Sequence, residues 1–212
     1  MGLALAIVGI VALAAAIVVA VRAARRASAR RTPPPPAPAD PFAPGRDTGG
    51  DPRTLKAGDL VEYLGEQLFV RGSLRLKEGG YTWSEHFVDA MSGADGSDGR
   101  RRWLSVEEDP DLEVTLWTGR PDDGLVPSAP TLTVDGVTYR RTEHGTAAFR
   151  TEGTTGLGAT GRVEYADYEG PNGRSLSFER FPGAGGEPGD WESSLGERVP
   201  AGTLTIYPGG AA

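Results

Sequence analysis

"QLFVRGSLRLK", residues 67–77, decides the fold. Leu68, Val70, Leu74 and Leu76 alternate with Arg71, Ser73, Arg75 and Lys77, the period of an extended strand with an apolar face and a wet one. "LEVTLW" (112–117) repeats the signature, and further strands are expected at "DLVEYL", "YTWSEHFVD", "RRWLSVE", "TLTV", "VTYRRT", "TAAFRT", "RVEYADY", "RSLSFERF" and "TLTIYP". Turn signals such as "EGG", "DG" and "PNG" punctuate them. No stretch sustains a 3.6-residue period. The expectation is an all-β antiparallel fold, a barrel or sandwich of about ten strands.

Two segments resemble one another. "YLGEQLFVRGSL" (63–74) and "TVDGVTYRRTEHG" (133–145) each place a turn glycine before an aromatic-containing strand, which suggests a duplication.

Composition narrows the functional classes. The chain has 31 Gly, 17 Pro and 38 % apolar residues, so its core is built from short elements. Cysteine is absent, which removes disulfides, thiolate metal sites and a cysteine nucleophile. Five arginines (Arg22, Arg25, Arg26, Arg30, Arg31) precede the first acidic residue, Asp40, leaving 17 basic against 29 acidic groups in residues 32–212. Such a body repels polyanions, and no nucleic-acid partner is expected.

Gly2 to Val21, "GLALAIVGIVALAAAIVVAV", is uncharged and long enough for a helix to cross a hydrocarbon layer of about 30 Å. One N-terminal transmembrane helix is therefore expected, over residues 1–21. The arginines behind it place the carboxyl-terminal side in the cytoplasm by the positive-inside rule. A cleaved signal peptide fits less well, because no basic residue precedes the apolar run. Ala12, Ala16 and Ala20 line one helix face, where self-association would be accommodated. Residues 22–54 read as a basic flank and a Pro/Gly-rich disordered linker, with seven prolines between positions 33 and 44. The β-rich domain is expected over 55–199, followed by a C-terminal strand and tail at 200–212. The localisation this implies is the bacterial plasma membrane, single-pass, with the domain cytoplasmic.

Candidate chemistry centres on Ser84, Glu85 and His86. Strand alternation turns Trp83, Glu85 and Phe87 one way and Ser84, His86 and Val88 the other, so Glu85 cannot orient His86. Ser84 and His86 share a face, yet their Cβ atoms stand roughly 6 to 7 Å apart, beyond a nucleophile–base hydrogen bond unless both side chains lean together. No catalytic residue is assigned. The candidate binding surface is Trp83, Glu85, His86 and Trp103, drawn from tryptophans that otherwise fill a β core. With only His86 and His144 present, no metal site and no cofactor are expected. "GADGSDG" (93–99) and "EEDPDLE" (107–113) lack EF-hand spacing and read as solvated acidic loops. "GLGATG" (156–161) matches a dinucleotide fingerprint in letters only, because a strand pattern follows it.

"GDLV" (58–61), "WSEHFV" (83–88), "RWL" (102–104), "TEHGTA" (142–147) and "ADYEG" (166–170) together resemble the bacterial domain-of-unknown-function family 4178, over roughly Leu55 to Val199. His86 stands where that family commonly has tyrosine. The resemblance implies a β-rich, often membrane-associated domain and brings no activity. The function expected is a non-enzymatic cytosolic binding or assembly module with a protein partner. The alternatives are an extracytoplasmic sensor, or a hydrolase joining His86 or His144 to Glu85, Glu143, Asp167 or Glu179.

Overall fold

The computed structural model describes residues 50–90, 100–121, 124–183 and 186–209. The segments expected as transmembrane helix, basic flank and most of the linker fall outside them, and among the described residues no helix is long and apolar enough to cross a membrane. The body is all-β, as its alternation requires. Its strands are β1 (Leu60–Tyr63), β2 (Glu66–Glu78), β3 (Tyr81–Ala90), β4 (Arg102–Glu108), β5 (Leu112–Gly119), β6 (Thr131–Val134), β7 (Val137–Gly153), β8 (Thr160–Glu169), β9 (Arg174–Arg180), β10 (Glu192–Arg198) and β11 (Leu204–Tyr207).

All eleven join one antiparallel sheet in the order β11-β1-β2-β3-β4-β5-β10-β9-β8-β7-β6, and β2 also pairs with β7. That extra ladder closes a circuit of eight strands, from β2 round through β5, β10 and β7. The short strands β1, β11 and β6 branch off it, so the fold is neither a clean barrel nor two separate sheets.

The circuit is a duplication. Strands β1 to β5 and β6 to β10 repeat a similar order of lengths: 4 and 4, 13 and 17, 10 and 10, 7 and 7, 8 and 7 residues. Each repeat opens with a hairpin whose two turn residues have positive φ, Leu64-Gly65 and Asp135-Gly136. Each also carries a register shift in its long strand, between Val70 and Gly72 and between Arg141 and Glu143. The spacing is identical, since 64 to 135 and 71 to 142 are both 71 residues. The likeness between residues 63–74 and 133–145 is thus the trace of two equivalent units.

The first shift changes how the opening stretch folds. Its apolar residues do not share a face: the extra residue at Arg71 turns the strand over, because a bulge reverses side-chain alternation. Leu68 and Val70 pack with Val88, Leu104, Val106, Val114 and Leu116 in the first repeat's core, beneath Leu55, Leu204 and Ile206. Leu74 and Leu76 instead enter a central core with Ala147, Phe149, Val163 and Tyr165. The second repeat has its own core of Tyr139, Ala166, Tyr168, Leu176 and Phe178, where Tyr168 and Phe178 meet edge to face at 5.6 Å.

The strands nearly coincide with the expected segments, with two differences. "VTYRRT" and "TAAFRT" are one continuous strand, β7, running through His144 and Gly145. "ESSLGER", without a hydrophobic alternation of its own, forms β10 because β5 and β9 flank it on both edges. "GLGATG" follows β7 and runs into the first two residues of β8, so the helix a pyrophosphate site needs is not there.

Candidate functional site

Directly opposite residues of an antiparallel pair share a face, so register alone assigns the inner face of the circuit. Glu143 lies opposite Asp167, Asp167 opposite Ser177, and Ser177 opposite Ser194. On the next rung Tyr165 lies opposite Glu179, and Glu179 opposite Glu192. From the other repeat Leu74 lies opposite Glu85, Glu85 opposite Ser105, and Phe87 opposite Trp103, itself opposite Trp117. Leu76 opposite Phe149 carries the same face across the closing ladder. The inner face is therefore half apolar plug, supplied by the central core, and half acidic cleft.

The cleft floor is Glu85, Asp167 and Glu179. Each is crowded by protein yet keeps some solvent contact, while Glu107, Glu143 and Glu192 stand exposed at the rim. Burial is the main force on all three floor acids, and it favours the neutral form. It pushes Asp167 up to about 7, against a Ser177 hydrogen bond and with help from the charges of Glu85, Glu143 and Glu107. Glu85 and Glu179 are hydrogen-bonded to each other across the repeats. Burial and the Glu85 charge drive Glu179 well above the carboxylate range. Glu85 is raised by burial, tempered by the Trp83 indole, whose Nε1–H donates to its Oε1 at 3.0 Å. Among the described residues none of the three has a lysine or arginine partner.

Aromatic side chains wall the cleft. Trp83 meets Tyr165 edge to face at 5.8 Å, and Phe87 lies 5.1 Å from Trp103. Tyr165 donates its hydroxyl to Glu78 and also reaches Glu143 at 3.3 Å, and burial with these carboxylates raises its pKa. Trp117 donates to Ser105 at 2.8 Å, and Gly196 leaves room for its ring.

Of the candidate surface residues, the structure brings Trp83, Glu85 and Trp103 to this face. His86 does not belong with them. It points to the opposite face and is fully buried in the first repeat's core, because alternation on β3 sends neighbouring side chains apart. There Ser73 lies opposite it and contacts Nδ1 at 2.8 Å, while Ser84 contacts Nε2 at 3.0 Å. Ser84 and His86 do lean together, the imidazole reaching along the strand. Burial and the nearby Arg75 charge lower the His86 pKa to about 3, so the ring is neutral and satisfied by two hydroxyls.

The histidine–carboxylate pairs of the hydrolase reading are not formed. Glu85, Glu143, Asp167 and Glu179 face the cleft, whereas His86 faces away and His144 lies opposite Ala166, a core residue of the second repeat. Of the acidic loops, 93–99 lies outside the described residues; in 107–113 Glu108 binds Arg53 in a two-pronged pair at 2.7 and 2.9 Å. Among the described residues no three His, Asp or Glu side chains are arranged to hold a metal ion.

The profile of a family described as a domain of unknown function, DUF4178, matches residues 56–201. The chain belongs to the DUF4178 family. Uncharacterised proteins of Mycobacterium bovis and Mycobacterium tuberculosis are 41 % identical to it over 164 residues, covering 74 % of this chain and 73 % of each relative. No solved structure matches the chain. The DUF4178 match spans both repeats, and β11, which pairs with β1, follows it.

Proposed function

We propose that this DUF4178 chain is a binding module, and that its cleft takes an amine or guanidinium group carried by a protein partner. One observation carries the reading: three carboxyls form the floor of an indole-lined cleft without a cationic partner among the described residues. An entering cation would gain charge-assisted hydrogen bonds from the acids and cation–π attraction from Trp83 and Tyr165. The absence of a three-ligand arrangement among the described residues favours an organic cation over a metal ion. A catalytic role for Ser84 is disfavoured, since a base with a pKa near 3 and no carboxylate behind it is weak.

The test is calorimetric titration of the full-length chain with spermidine and with a short oligolysine peptide. Binding is expected to strengthen from pH 6 to pH 8 with release of protons, and to weaken at least tenfold in Glu85→Gln/Glu179→Gln. Unchanged affinity in that double variant would sink the reading.

The uncharged leading segment and its arginines support a location on the inner face of the bacterial plasma membrane. Protease added to intact cells should spare the β body. Digestion there would favour the extracytoplasmic sensor.

A further inference from the structure

A second surface lies on the reverse side of β3, β2 and β7. Arg75 and Lys77 share one face of β2, with Ser84 and Thr82 opposite them on β3. On the other edge Arg150 of β7 lies directly opposite Arg75, and Ala148 opposite Lys77. Like charges placed directly opposite across a ladder are destabilising, so this pairing needs a reason. The protein supplies little compensation: Arg75 reaches Glu152 only at 3.7 Å, and Lys77 and Arg150 form no ion pair among the described residues.

These residues border a cavity of about 690 Å³, open at one side, with Val106 and Leu112 as apolar wall and Arg53, Glu107 and Glu108 also in its lining. That is room for a small molecule rather than a lone ion. Arg75 is held in place, its Nη2 donating at 2.6 Å to the carbonyl of the fully buried Leu55.

The duplication provides an internal control. With the offset of 71 residues, Arg75 and Lys77 correspond to Thr146 and Ala148, so the fold does not require cations at these positions. They stand out further in a body with 17 basic against 29 acidic groups.

We propose that the face formed by Arg75, Lys77 and Arg150 binds a phosphate-bearing ligand, with the Ser84 and Thr82 hydroxyls beside it. Two guanidinium forks and an ammonium suit the oxygens of a phosphate, and Val106 and Leu112 offer an apolar wall to the rest of the ligand. The phosphate comes either from a soluble ester or from a lipid headgroup.

The experiment titrates the full-length chain with inorganic pyrophosphate, following heat, and separately measures sedimentation with phosphatidylglycerol vesicles. Wild type should bind pyrophosphate, the vesicles or both, with affinity falling as salt rises. Lys77→Ala/Arg150→Ala should lose at least tenfold while its unfolding midpoint stays unchanged, both side chains being exposed. Saturation by pyrophosphate alone assigns a soluble ligand; vesicle binding displaced by pyrophosphate assigns the headgroup. Binding of neither probe, or equal binding by the double variant, overturns the site. Glu85 and Glu179 take no part, so failure here is separable from failure of the cleft.

Discussion

Asp167 shows how single side chains set the chemistry of the cleft. Its folded pKa of about 7 lies above the ordinary 3.8, so the native state holds a proton that the unfolded chain releases. The resulting stability is fully present below about pH 4 and is lost as pH rises through 7. His86 works in the opposite sense: its folded pKa of about 3 lies below 6.5, so its contribution is present above pH 6.5 and fades as pH falls towards 3. Comparing Asp167→Asn with wild type cancels the histidine. The variant should match wild type near pH 4 and exceed it by about 1 to 3 kcal/mol at pH 8, measured by urea unfolding at both values. A variant less stable at pH 8 would show that the Ser177 hydrogen bond outweighs the burial of charge.

At the level of elements, turns and bulges set the architecture more than apolar content does. Leu64 adopts φ 51° in the first hairpin with its side chain 83 % exposed, a conformation that suits Asn, Asp or Gly. Its counterpart Asp135 already obeys the rule. Leu64→Asn should therefore raise stability by about 0.5 to 1 kcal/mol, seen as a higher unfolding midpoint. Gly72, beside the bulge, gives the opposite result. A Cβ there would sit 2.5 Å from the Thr154 carbonyl oxygen, which is backbone and cannot swing away. Gly72→Ala should cost about 1 to 3 kcal/mol or more in the same assay. These two positions also explain what the sequence revealed. Alternation located nearly every strand, because one-sided burial imposes period two. It could not reveal that Arg71 reverses the alternation within β2, since a bulge depends on the partner strand. The inner face of β3 was legible through Trp83 and Glu85, whereas Asp167 and Glu179 joined them only through register. Arg75 and Lys77 looked like an ordinary wet face, and only the ladder to Arg150 makes them unusual.

Across the whole β body, the repeats are stitched together at β5–β10 and β2–β7, and β11 reaches back to β1. Leu60 lies opposite Tyr207, the Gly209 N–H donates to Asp59 at 2.8 Å, and the Cβ position of Gly50 is 3.0 Å from Ile206. The first and last strands thus meet at a seam, and sequence order there is decoupled from spatial order. A circular permutant, with residues 209 and 50 fused through a few glycines and new ends opened between β5 and β6, would keep every ladder intact. It should refold with a far-ultraviolet circular dichroism spectrum matching that of residues 50–209 in native order. Failure to do so would mean that synthesis from β1 onward guides the pairing. Success would make the seam a hinge point for engineering, where cargo could be grafted without disturbing either face of the circuit.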